Sequence, residues 1–174
     1  MARPNQAGNI RLYALLARDA HRAVVFRRGP SKQVLLLSWD TAKDLIEDGQ
    51  WLKGRIYERR CDLSPDGRLL LYFAATYRKP LFSWSAISRP PFLSALALWP
   101  KGDGWGGGGE FKTNDTVLLN HCANEMQLAP DFRCRNGCTC AHSASTLDGA
   151  KTSRCGGNGW RGTDGLLSTK PGLS

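Results

Sequence analysis

Residues 55–73, RIYERRCDLSPDGRLLLYF, constrain this chain more than any other stretch. Pro65 presets φ for a turn, Asp66 can bond its own backbone, and Gly67 enters φ > 0 without steric cost. Apolar and aromatic residues flank the turn on both sides, so the stretch reads as two strands joined by a tight hairpin connection. Similar runs recur along the chain. Residues 10–17 and 23–26 flank Asp19-Ala20-His21, and Gly29-Pro30-Ser31 separates the second run from 34–39. After the hairpin come 81–87, 93–99 and 117–120, each bounded by Pro, Gly or Asn-Asp. A helix is expected only at 40–48, where Asp40 or Thr41 could cap AKDLIED before Gly49 stops it after barely two turns. Strands at intervals of about ten residues, with no long helix, predict a mainly β chain built from antiparallel sheets.

A length of 174 residues suits one domain with a real core better than two. The ordered domain is expected over 8–130, and a low-order tail over 131–174. The net charge of +9 favours anionic partners such as nucleic acid or an acidic surface. The first twenty residues hold a broken apolar run that ends at Arg18 and Asp19, which is not the hydrophobic region of a signal peptide. No window approaches the roughly 18 apolar residues of a membrane span. The expected location is therefore the cytoplasm, where the six cysteines stay reduced.

Residues 61–73, CDLSPDGRLLLYF, resemble the S-P-D-G hairpin of WD40-like and TolB-like β-propeller blades. The wider block 24–126, with GQWLKGRIYERRCDLSPDGR and SRPPFLSALALWPKGDGWGGGGEF, is similar to a family of uncharacterised bacterial proteins. The resemblance implies a partial propeller-like sheet system; a small β-sandwich or barrel is the alternative. Blades take about 40 to 45 residues and closed propellers need at least about four. Residues 1–133 hold three at most, so either the sheets close differently or the chain belongs to a longer one.

The tail has an unusual composition. From 134 to 174 there is no Ile, Val, Phe, Tyr or Met, so little apolar area is available to offset the entropy of ordering. Cys134, Cys138, Cys140 and His142 supply the ligand types of a zinc site, but three ligands within five residues is not the paired-hook spacing such sites use. A redox role lacks its C-x-x-C. The preferred reading is a frameshifted translation of a GC-rich gene, whose out-of-frame codons yield Arg, Gly, Ala, Ser, Thr and Cys in excess. A genuine disordered tail is the alternative. No metal and no cofactor is expected.

Arginine marks the candidate binding residues. Arg27, Arg28, Arg55, Arg59, Arg60, Arg78, Lys79 and Arg89, interleaved with Tyr57, Tyr77 and Trp84, pair charge with stacking as single-strand nucleic-acid binders do, and Arg55, Tyr57, Arg59, Arg78, Trp84 and Arg89 are the candidate binding residues. The plainer account is a solvated rim that protects edge strands. Strand alternation over 55–61 would put Arg55, Tyr57 and Arg59 on one face and Glu58 with Arg60 on the other. Trp39, Trp51, Trp84 and Trp99 read as packing residues by default, and the loop KGDGWGGGG at 101–109 as a flexible connection anchored by Trp105. Its order is not that of a phosphate-binding G-x-x-x-x-G-K-[ST] loop. His21, His121, Asp62, Asp66 and Asp115 do not assemble into a catalytic set in the sequence. The expected function is a non-catalytic binding or interaction module of propeller-like type. The alternatives are a propeller-type hydrolase with its remaining residues outside this sequence, and a nucleic-acid binder using the Arg and aromatic face.

Overall fold

The computed structural model describes residues 9–29 and 32–132, and the backbone of 136–142 and 152–156. Within them the chain is mainly β. Strands β1 (Arg11–Leu16), β2 (Arg22–Arg28), β3 (Gln33–Asp40) and β4 (Leu45–Lys53) form a first sheet, an antiparallel meander in chain order. In the second sheet β5 (Arg55–Ile56) and β6 (Asp62–Leu63) both pair with β7 (Leu70–Ala75), followed by β8 (Ser83–Ser88) and β9 (Ala95–Lys101). The third sheet runs β10 (Gly109–Phe111), β11 (Thr116–Leu119), β12 (Asn136–His142) and β13 (Thr152–Gly156). Each sheet has two open edges, so none closes into a barrel.

The Pro-Asp-Gly hairpin forms as expected, and its chemistry is local. Gly67 has φ 71°. Its N–H donates to the Ser64 carbonyl at 2.8 Å, while Asp66 Oδ1 accepts from Ser64 Oγ at 2.7 Å and from the Arg68 N–H at 3.0 Å. Ser64 Oγ in turn accepts the Leu69 N–H at 2.9 Å. With the turn fixed, Leu63 pairs with Leu70 and the register of β6 on β7 follows.

The helix expected at 40–48 is absent. Asp40 Oδ1 does accept from the Ala42 and Lys43 N–H groups, at 3.0 and 3.1 Å, as a cap would. Asp44 then takes φ 54°, which ends any helical turn, and Ile46 pairs across the hairpin with Trp39. So short a segment gains too little from its own hydrogen bonds to resist pairing along the length of β3.

The second sheet is the middle layer. Strands β7 and β8 are buried along their whole length, and period-two alternation divides their side chains between two neighbours. Leu70, Tyr72, Ala74, Trp84 and Ala86 pack with Val24, Phe26, Val34 and Leu36 of the first sheet. Leu71, Ile87, Ala97 and Trp99 pack with Phe111, Val117 and Leu119 of the third. A strand covered on both faces needs apolar residues at every position, and LLYFAA meets that need. The three sheets therefore stack in chain order.

Of the tail, β12 and β13 are described. β12 runs parallel to β11, with Val117 beside Cys140, and β13 pairs antiparallel with β12. At these two segments the backbone is extended and paired where the composition led us to expect no regular structure. The physical reason is that ladder bonds need backbone groups rather than apolar side chains. The rest of 133–174, including Cys134, lies outside the described residues, as do the side chains of Cys138, Cys140 and His142.

Candidate functional site

Register places several connections at one end of the stack. Arg28 pairs with Val34 beside the β2–β3 turn, Gln33 with Lys53, Arg55 with Ala75, and Ser83 with both Ala75 and Lys101. The connections β2–β3, β4–β5, β7–β8 and β9–β10 thus lie at the same end, together with the segment from β5 to β6. They carry Arg28, Lys53, Arg55, Arg59, Arg60, Arg78 and Lys79 against the acids Glu58 and Asp103.

Tyr57 lies at the centre of this basic end. The Arg55 guanidinium carbon is 4.4 Å from the Tyr57 ring centroid, and that of Arg60 is 4.9 Å away. Arg60 also approaches Phe73, at 5.4 Å, and the rings of Tyr57 and Phe73 are 5.2 Å apart. Two cations against one ring repel each other, so something must fix them. Arg60 Nη1 donates to the Gly104 carbonyl at 2.9 Å and to that of Gly106, which ties the β9–β10 loop to the cluster. The hydroxyls of Tyr57 and Tyr77 are hydrogen bonded to each other. That bond, and then partial burial, raises the pKa of Tyr77, which stands at φ 57°. Tyr77 packs edge-on against Phe82 at 5.1 Å. Trp105 is 83 % exposed at the tip of the Gly-rich loop, with its backbone N–H donating to Asp103 Oδ1 at 3.0 Å.

The layer beneath is buried and hydrogen bonded. Cys61 donates its thiol to the Tyr57 carbonyl at 3.2 Å, and burial pushes its pKa up to about 12, so it stays a neutral thiol. Lys101 is buried with its Nζ on Glu125 and 3.5 Å from Asp103. His121 Nδ1 faces the Glu125 carbonyl at 3.0 Å, and a carbonyl only accepts, so Nδ1 carries the proton. His121 Nε2 is hydrogen bonded to Ser85 Oγ at 2.7 Å, while Ser85 Oγ accepts the Gly108 N–H at 2.7 Å. This serine–histidine pair has the spacing of a nucleophile and its base. With Ser85 fully buried and His121 3 % exposed, its present role is to join β8 to the residues flanking β10 and β11. Gly107, at φ 82° against the Phe73 ring, has no room for a Cβ. The Gly-rich loop is therefore tightly packed on the cluster rather than a free connection.

Of the residues singled out from sequence, Arg55 and Tyr57 are in direct contact, and Arg59 and Arg78 are exposed on connections at the same end. Trp84 is not at this surface: it is 1 % exposed, between the first and second sheets. Arg89 follows β8 at the opposite end, since Ser88 pairs with Leu70 and Ala95. The alternation drawn over 55–61 is also corrected. β5 stops at Ile56 and a 3₁₀ turn, Glu58–Arg60, follows, which swings Arg60 onto the same ring as Arg55. Glu58 meets Arg28, at 3.9 Å, rather than Arg60. Trp105 is no packed anchor, and Trp51 is 45 % exposed. Arg60, which the strand pattern put on the opposite face, and Trp105, read as a packed anchor, are the members that sequence reasoning misplaced; the run of glycines beside Trp105 was the available signal.

Among the described residues no group of His, Cys, Asp and Glu could hold a metal ion, and no helix is long and apolar enough to cross a membrane. Comparison with family models, with curated proteins and with solved structures finds no match to this chain.

Proposed function

We propose that the chain is a non-catalytic binding module of β-propeller-like type, and that its basic, aromatic end holds single-stranded nucleic acid. The observation that carries this reading is Tyr57 contacted by two guanidiniums, with Tyr77 and an exposed Trp105 at the same end. Arginine supplies charge to a phosphate backbone and the rings supply stacking faces for unpaired bases. Three open sheets stacked in chain order support the propeller-like part of the reading, although a closed propeller takes at least about four.

Fluorescence anisotropy with a labelled single-stranded oligonucleotide tests it. Affinity is expected to fall steeply as salt rises, because each neutralised phosphate releases counterions. Arg55→Ala is expected to weaken binding by about tenfold and reduce the salt slope by about one. Absence of binding at about 50 mM salt would remove the nucleic-acid reading.

A further inference from the structure

Lys101 closes β9, and alternation puts it on the same face as Ala97 and Trp99, which pack against the third sheet. Its side chain is 2 % exposed. A buried ion pair is often no more stable than apolar side chains of the same volume, so stability alone does not account for a lysine at this position. Its contacts show what it holds. Nζ is ion paired with Glu125 of the 3₁₀ turn Ala123–Glu125 and lies 3.5 Å from Asp103 Oδ1. The same Oδ1 accepts the backbone N–H of Trp105 at 3.0 Å, and the Asp103 carbonyl accepts from Ser83 Oγ. Lys101, Asp103 and Trp105 alternate with glycines in KGDGW. A Cβ at Gly102 would meet nothing within 4 Å, so packing does not fix the path of the chain there and the polar contacts of Asp103 do. A Cβ at Gly104, next in line, would lie 3.6 Å from the Tyr77 hydroxyl and 3.9 Å from that of Tyr57. The place of Asp103 thus sets where the exposed indole stands beside the two tyrosines.

We propose that Asp103, held by the buried Lys101, is a positioning residue that keeps the Trp105 indole beside Tyr57 and Tyr77 for stacking on unpaired bases; this rests on the reading of the basic end as a single-strand site. Asp103 acts through the indole rather than on the ligand, and its charge runs against the rest of this end. An anion among Arg55, Arg59 and Arg78 repels a phosphate backbone, so electrostatics alone makes loss of Asp103 favourable to binding. Positioning makes the same loss unfavourable. The sign of the effect therefore separates the two.

Asp103→Ala in the full chain tests this, because Glu125 still pairs with Lys101 in that variant and the buried ammonium is not left alone. Its affinity for a labelled single-stranded oligonucleotide is expected to fall by about threefold or more, and the loss is expected to vanish when Trp105 is already alanine, since residues that act through one another are not additive. Lys101→Met, checked for folding by circular dichroism, is expected to reproduce the loss at an unchanged salt slope, because an ammonium so deeply buried neutralises no phosphate. Fluorotryptophan labelling adds a readout that needs no nucleic acid. The fluorine NMR signal of Trp105, identified by its loss in Trp105→Phe, is expected to shift and narrow in Asp103→Ala while those of the buried Trp84 and Trp99 stay in place. Equal or tighter binding by Asp103→Ala overturns the proposal, and so does an equal loss in the Trp105→Ala background. If the unsubstituted chain binds no oligonucleotide, the single-strand reading fails by itself and the positioning is decided by fluorine NMR, where an unmoved Trp105 signal overturns it.

Discussion

The two ends of the second sheet are held together in different ways. At the turn end, Ser64, Asp66, Arg68 and Leu69 satisfy one another's polar groups within six residues. At the connection end, Arg60 finds its carbonyl partners at Gly104 and Gly106, separated from it by 44 and 46 residues. The first end is a local solution that sets strand register; the second is assembled by the fold and leaves rings and cations facing water. Stability therefore concentrates at the turn and binding capacity at the connections.

Replacing Gly67 is expected to produce the largest effect. A β-branched residue at φ 71° is strained, and its Cβ would sit 2.7 Å from the Cβ of Arg22. Gly67→Val is expected to destabilise by about 3 kcal/mol in denaturant titration, and Gly67→Asn by about 1 kcal/mol, because Asn tolerates the left-handed region. If Val cost no more than Asn, the turn would not be the rigid end of this pair.

That turn was legible because its partners are neighbours in sequence: Pro-Asp-Gly states both the turn and the register. The apolar run of β7 likewise announced a strand, but that both its faces are covered emerges only from the stacking of the sheets. The 40–48 hairpin was misread because Asp40 caps a turn in the same way that it caps a helix, and nothing local reveals the ladder with β3. The site was half legible. Arg55 and Tyr57 are two apart in sequence, but Arg60 joined them only because a 3₁₀ turn interrupts the strand. Trp84 looked equivalent to Trp105 by residue type, and only the stacking of sheets separates a buried ring from a bare one.

The second expected effect is a dependence on alkaline pH beneath the connection end. Burial raises Cys61 from 9.0 to about 12, so its neutral form is favoured in the folded state. The unfolded thiol ionises first, hence the stability is complete below pH 9 and is lost as pH rises toward 12. Between pH 9 and 10.5 this loss is about 2 kcal/mol at most. Tyr72, raised by burial, acts in the same direction above pH 10. Cys61→Ala should flatten the lower part of that pH profile in thermal unfolding. An unchanged slope would mean that water reaches the thiol and that the floor of the site is not dry.

A smaller effect is expected at Arg60, which belongs to both stability and site. Arg60→Ala leaves the carbonyls of Gly104 and Gly106 to water and removes one cation from Tyr57. Each hydrogen bond from a charged donor is worth about 1.5 to 3 kcal/mol, but these carbonyls are near the surface and rehydrate, so a net loss of about 1 kcal/mol is expected. Oligonucleotide affinity should fall further than stability does, because the Gly-rich loop that carries Trp105 loses its tie. Arg60→Lys should recover charge but not the paired contact, and so restore binding only in part. Equal recovery by Lys would show that charge alone matters at this position.

Trp105 is expected to give the smallest change in stability and the cleanest separation of the two ends. Its side chain is 83 % exposed, so folding removes little of it from water and truncation forfeits little burial. Trp105→Ala is accordingly expected to shift unfolding free energy by less than about 0.5 kcal/mol. Stacking of one base on an aromatic ring is worth about 1 to 3 kcal/mol, so the same variant should lose roughly fivefold or more in affinity for a single-stranded oligonucleotide. Its salt slope should stay unchanged, because the indole neutralises no phosphate. The combination matters more than either number. Weaker binding at constant slope and constant stability assigns the indole to base stacking, whereas a parallel loss of stability would make Trp105 a packing residue and remove the strongest reason for separating the connection end from the turn end.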